Sequence, residues 1–245
     1  MNRLYTILIS AVALLMASGV SAMPRFGAKR SMEVSAGYSY NLTSHEVGGI
    51  EGLNRLQGAY VSFTYDFDLL NKKWGSLQLE PGAKLSYVLE SDAEDNFAVL
   101  TKHALKESYL DVPVNVKYSY KLNYVTVSAF AGPVFSLGLT STTWDCYEKY
   151  MVKTHNYSGA QEIKGARPSE IVTNAIADYG RFDLKFGFGL GFTFMDRASL
   201  RLSYNLGLLN RYNGESASAV NVNRHTNVFN VGLGYRFYSA NSVYL

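Results

Sequence analysis

Acidic and basic side chains recur in step along this chain, on one face of alternating stretches. Glu33, Asp66, Glu80, Asp111 and Asp183 supply the acids, and Lys84, Lys117, Lys185, Arg201 and Arg236 supply the bases. Three kinds of chemistry are open to such a set. Two carboxylates such as Glu80 and Asp111 can act as an acid/base pair. A string of charges that exchange partners can carry ions. Equal numbers of opposite charges can also neutralise one another in a polar core. Buried charges are costly unless they are paired and hydrogen-bonded, so the balance of signs favours the paired network.

Other chemistry is thinly represented. The sequence holds no G-x-S-x-G elbow, phosphate-binding loop, H-E-x-x-H or C-x-x-C pattern. The glycines around Gly187 follow strand alternation and open no helix, so no nucleotide site is implied. His45, His103, His155 and His225 each fall in, or at the end of, a different long link, where converging loops would bring imidazoles together as metal ligands. Their spacing is not local, and none is assigned as a ligand. Cys146 is the single cysteine, which rules out an internal disulfide framework. No residue is given a catalytic role, and no cofactor is expected.

The elements that must position the charges follow from a period of two. About eight segments read as strands: Ser31–Tyr40, Gln57–Phe67, Gly75–Leu89, Ser108–Tyr120, Tyr124–Thr140, Tyr179–Met195, Ala198–Asn210 and Thr226–Tyr238. Most reach the roughly 9–11 residues that a tilted strand needs to cross a membrane. Short links lie at Asp68–Trp74, Lys121–Asn123 and Asp196–Arg197, and long ones at Asn41–Leu56, Glu90–Glu107, Ser141–Asp178 and Arg211–His225. In an eight-stranded meander, all the short links then fall at one end and all the long ones at the other. That asymmetry belongs to outer-membrane barrels, with tight periplasmic turns, longer external loops and both termini in the periplasm.

The faces are distinct as well. Phe182, Leu184, Phe186, Phe188, Leu190, Phe192 and Phe194 share one face, against Asp183, Lys185, Gly187, Gly189, Gly191 and Thr193. An eight-stranded barrel has room inside only for packed side chains or one small ligand, so the large apolar set would overfill it. Lipid outside, with charge and glycine inside, is the better reading. Phe67, Trp74, Tyr118, Tyr120, Phe194 and Phe237 then mark the periplasmic rim, and Tyr38, Tyr40, Tyr87, Tyr179 and Phe182 the outer one. The expected fold is all-β: an eight-stranded antiparallel up-and-down transmembrane β-barrel whose lumen is plugged by ion pairs.

Composition agrees. Aromatics reach 14%, with 19 Tyr and 13 Phe beside 21 Gly and only 5 Pro. A net charge of +3 is too small to argue for nucleic acid. Arg3, the apolar run Ile7–Met16 and the small-residue site Val20-Ser21-Ala22 read as a secretory signal over residues 1–22, leaving 23–245 as one barrel domain. The long external link 141–178 carries Trp144, Cys146, Tyr147, Tyr150 and Tyr157, then Pro168-Ser169-Glu170, which reads as the start of a short helix. Its aromatics suit either a protein-contact surface or a lid packed on the barrel mouth.

Several segments resemble the PorT-like outer-membrane barrels of Bacteroidetes, a porin-family group. They are Tyr109-Leu-Asp-Val-Pro-Val-Asn-Val-Lys-Tyr118, Ala131-Gly-Pro-Val-Phe135, Phe182-Asp183 with its glycine-rich strand, Tyr204-Asn-Leu-Gly-Leu208 with Asn210, and Leu233-Gly-Tyr-Arg-Phe237. They occur in the family's order over most of the mature chain, which departs by running on through Ser239–Leu245. The resemblance implies a non-enzymatic barrel in the bacterial outer membrane, in contact with lipid and lipopolysaccharide and open to protein partners in the envelope. It further implies an accessory or scaffold role in protein secretion of the type IX kind, or in envelope assembly. A narrow small-solute porin and a surface adhesin are the competing readings.

Overall fold

Period-two alternation commits the chain to strands, and the structure, a computed structural model, forms them over nearly all the residues it describes. Those are residues 30–47, 50–72, 75–90, 100–147, 150–158, 160–165, 180–211 and 222–239. The signal read at 1–22, the helix start read at Pro168, and rim residues Trp74 and Tyr179 lie outside them. The strands are β1 (Arg30–Val47), β2 (Ile50–Lys72), β3 (Gly75–Leu89), β4 (Leu100–Leu122), β5 (Val125–Tyr147), β6 (Met151–His155), β7 (Ala160–Lys164), β8 (Phe182–Phe194), β9 (Ala198–Gly207) and β10 (Val222–Ser239).

Neighbours run β4-β3-β2-β1-β10-β9-β8-β5, and a β4–β5 pairing closes the ring. Every pairing is antiparallel. The expected barrel is therefore present, with the short β6 and β7 added beside β5. Its tight turns place Asn123, Met195 and Asp196 at φ values of 36°, 49° and 60°. Those left-handed residues suit the twist of antiparallel hairpins.

Strand lengths differ from the sequence reading. β2, β4 and β5 each run 23 residues, about twice what crosses a bilayer. The link expected at Asn41–Leu56 is mostly ladder, paired from Asn41↔Leu56 to Val47↔Ile50. The links expected at Glu90–Glu107 and Ser141–Asp178 likewise hold the pairs from Leu100↔Tyr147 to Glu107↔Ser141 and the β6–β7 hairpin. Hydrophobic alternation stops where the outward face leaves lipid, whereas backbone pairing continues above it. Trp144, Cys146 and Tyr147 consequently belong to strand β5 rather than to a loop.

The faces are disposed as lipid outside requires. Phe186, Phe188 and Leu190 are exposed, Leu190 at 46%, while Asp183 and Lys185 between them on β8 are 1% exposed. Inside, glycine is needed where other groups fill the space. A Cβ on Gly189 would collide with the Leu202 carbonyl and the Phe130 ring, and one on Gly138 with the Tyr157 hydroxyl.

The exposed β8 face generates a test. Leu190→Arg places a cation in hydrocarbon and should cost about 2–4 kcal/mol at the bilayer midplane. Reversible denaturant unfolding from lipid vesicles measures it; no loss would mean that this face does not meet lipid.

Candidate functional site: the lumen charge network and the barrel mouth

Inward positions on neighbouring strands face one another across a narrow lumen, so charges at matching depth are forced together. All ten predicted lumen residues are inside, and they sort into two layers. Nearer the tight turns, Glu80 on β3 receives Arg201 on both carboxylate oxygens, with Nη1 3.0 Å from Oε2, and Lys117 Nζ at 2.8 Å. Lys117 also reaches Asp66 at 3.0 Å. Arg236 bonds Glu33 at 3.1 Å and lies 3.8 Å from Asp66, which accepts a bond from the Ser31 hydroxyl at 2.7 Å. Three carboxylates face three cations, and the guanidinium of Arg201 stacks 3.9 Å from the Phe130 ring centre.

The second layer stands closer to the loop end. Asp111 on β4 accepts Lys84 at 2.9 Å and has Lys185 at 3.7 Å, while Lys185 is 3.9 Å from Asp183. Lys185 also donates to the Ser136 hydroxyl at 3.0 Å. Between the layers lies a cavity of about 50 Å³, lined by Tyr60, Asn115, Asn205 and Asn230 among others. That is room for a few waters.

A third cluster was not read from the sequence. Glu107 is buried near the loop end, takes hydrogen bonds from Tyr109 and from Ser141 at 3.0 Å, and faces Arg224 at 3.6 Å. Arg211 donates to Tyr109 at 3.0 Å, to Thr226 at 3.3 Å and to Tyr157 at 3.1 Å. Phase held a signal for two of them, since Glu107 is in step with Asp111 and Lys117, and Arg224 with Arg236. Arg211 carried no such signal, because it lies past the end of β9 and enters the mouth through irregular backbone bonded to Gly180 and Arg224.

The aromatic residues of the expected link 141–178 part company. Tyr157, in the turn between β6 and β7, sends its hydroxyl into the mouth to Arg211, under the Arg181 guanidinium at 5.1 Å. Burial is the largest influence on this phenol and pushes its pKa up to about 12, with Arg211 opposing. Trp144 instead lies in phase with Thr142, opposite to the lumen-facing Ser141, and the Lys106 and Lys153 ammonium groups stand 5.5 and 5.3 Å from its ring. Cys146 and Tyr150 are half-buried, and the Tyr147 side chain lies outside the described residues. The link is thus lid on one side and outer wall on the other.

The histidines do not converge among the described residues. His155 bonds Glu162 at 3.1 Å on the outer wall, and this bond, followed by that of Lys153, holds the Glu162 carboxyl below its usual range. Side chains of His45 and His103 lie outside the described residues. Among those described, no cluster of three or more His, Cys, Asp or Glu has metal-ligand geometry.

A family model described as the outer membrane protein beta-barrel domain matches residues 10–237. Among solved structures, the chain is similar to Ail, the attachment invasion locus protein of Yersinia pestis, at 14% identity and a TM-score of 0.44, over 85% of this chain and 99% of that one. It is similar to the outer membrane protease OmpT of Escherichia coli at 10% identity and 0.45, over 88% and 100%. It is also similar to the outer membrane protein OprG of Pseudomonas aeruginosa at 13% and 0.40, over 86% and 98%. No curated protein matches the sequence.

Two outcomes follow from the geometry. Glu80→Ala strands Arg201 and leaves Lys117 with Asp66 alone, and should destabilise the barrel by about 3–5 kcal/mol, the cost of breaking a buried pair from one side; urea unfolding in micelles reads it. For Tyr157, a folded pKa above the free value means that its mouth contact is fully stabilising below about pH 10 and is lost as pH rises through about 12. Tyrosinate absorbance should show one fewer late-titrating phenol in Tyr157→Phe than in the unmodified protein.

Proposed function

The chain belongs to the outer membrane protein β-barrel domain family, and from that premise we propose that it is a non-enzymatic, plugged barrel acting as an accessory or scaffold in protein secretion or envelope assembly. One observation carries this reading. The lumen is crossed by two layers of paired charges and closed at the mouth by Tyr157 and Arg211. A barrel filled in this way passes no folded cargo, so its work falls to its loop end and rims. Each lumen carboxylate has cations close by, which suits structure better than proton transfer.

In this reading the tight turns face the periplasm and the tall β4–β7 wall faces outside. That wall offers protein partners an aromatic and charged face. Its outward Lys106, Trp144 and Lys153 suit the phosphates of lipopolysaccharide beside it. The resemblance to PorT-like barrels supports the secretion branch of the proposal. The cavity of about 50 Å³ between the charge layers favours a second reading, a narrow small-solute pore, and the outer wall a third, an adhesin.

A deletion strain separates them. Loss of secreted, surface-anchored proteins is the expected result. Changed solute uptake with normal secretion would establish the pore instead, and lost attachment alone the adhesin.

A further inference from the structure

Three of the chain's five prolines fall in the middle of adjacent strands: Pro81 on β3, Pro113 on β4 and Pro133 on β5. Proline has no N–H to give to a ladder and is normally kept to sheet edges. Here the ladders break beside each one. Between β2 and β3, pairing stops at Thr64↔Gly82 and resumes at Phe67↔Leu79. Between β3 and β4 it stops at Pro81↔Val114 and resumes at Lys84↔Asp111. Between β4 and β5 it stops at Pro113↔Val134 and resumes at Val116↔Ala131. None of these breaks changes the register, and together they form one diagonal seam. Across β5, the pairing with β8 is unbroken from Val125↔Phe194 to Leu137↔Phe182.

Side chains are small at the seam. Gly82 and Gly132 carry none on the inside, where Thr64 and the Val114 carbonyl come close, and the outward residues Ala83 and Ala131 are small. The cavity lies directly behind, with Pro113 and Asn115 in its lining. A gap in a ladder within hydrocarbon leaves backbone groups with no water to satisfy them. Opening therefore costs less here than across the unbroken β5–β8 ladder, and a molecule bringing its own polar atoms lowers that cost further.

We propose that the β3–β4–β5 seam is a lateral opening through which a single-chain amphiphile in the bilayer places an uncharged, hydrogen-bonding head in the lumen cavity. The head is uncharged because Lys84, Asp111 and Arg201, the charges lining the cavity, already have counter-ions. The rest of the polar lining is amide and hydroxyl, including Asn115, Asn205, Asn230 and Ser203. The acyl chain stays outside, against Ala83, Val112 and Pro133.

The test uses the mature protein in lipid nanodiscs with a monoacylglycerol carrying a diazirine next to its head. Crosslinks should map to lumen-facing residues such as Asn115 and Asn205. An Ala83→Cys/Val112→Cys disulfide across the seam should reduce them at least about tenfold, and reductant should restore them. Amides of Ala83, Val112 and Asn115 in the unmodified protein should exchange at least about tenfold faster than those of Gly187 and Phe188, as expected for a locally opening segment. Absence of lumen crosslinks, lumen crosslinks indifferent to the staple, or equal exchange on the two sides would each overturn the proposal.

Discussion

In a bilayer no water is available to the backbone N–H and C=O groups, and each one left without a partner costs several kcal/mol. A strand that crosses must therefore be paired on both edges. The β1–β10 ladder meets that demand by joining the two ends of the meander into a ring. Once the ring is closed, period-two alternation assigns every side chain to lipid or to lumen. The ring also explains why the proline seam stands out, since it is where three consecutive ladders falter together.

An eight-stranded ring leaves little interior, and that scarcity governs the lumen. Charges placed there cannot reach bulk water, so they must meet opposite charges at the same depth. Glu80 between Arg201 and Lys117, and Asp111 between Lys84 and Lys185, are the outcome. Glycine makes room for the ring on which Arg201 stacks, as Gly189 does beside Phe130. Such a core is not the most stable filling available, because buried pairs gain little over apolar packing. Its consequence is specificity: a slip of one residue would turn every charge toward lipid.

At the loop end the constraint relaxes and the architecture changes. Strands outgrow the hydrocarbon, β6 and β7 join the wall, and Tyr157 turns back into the mouth to meet Arg211. The same stretch of chain presents Trp144 between two lysines on the outside. Closure of the lumen and display of a surface are thus built from one segment, and this makes the loop end the natural place to seek a partner.

Sequence alone determined the strand period, the two faces, the outer-membrane barrel and the inward placement of all ten charges from Glu33 to Arg236. Alternation at period two is a local property that residue types carry directly. The tertiary structure decided what depends on depth and on neighbours across the lumen. It chose which acid meets which base, continued β2, β4 and β5 beyond the bilayer, and brought Glu107, Arg211 and Arg224 into the mouth. It also showed Tyr157 to be lid and Trp144 to be wall. These remained illegible because apolar alternation ends where lipid ends, while pairing of backbone and of charge goes on between residues far apart in sequence.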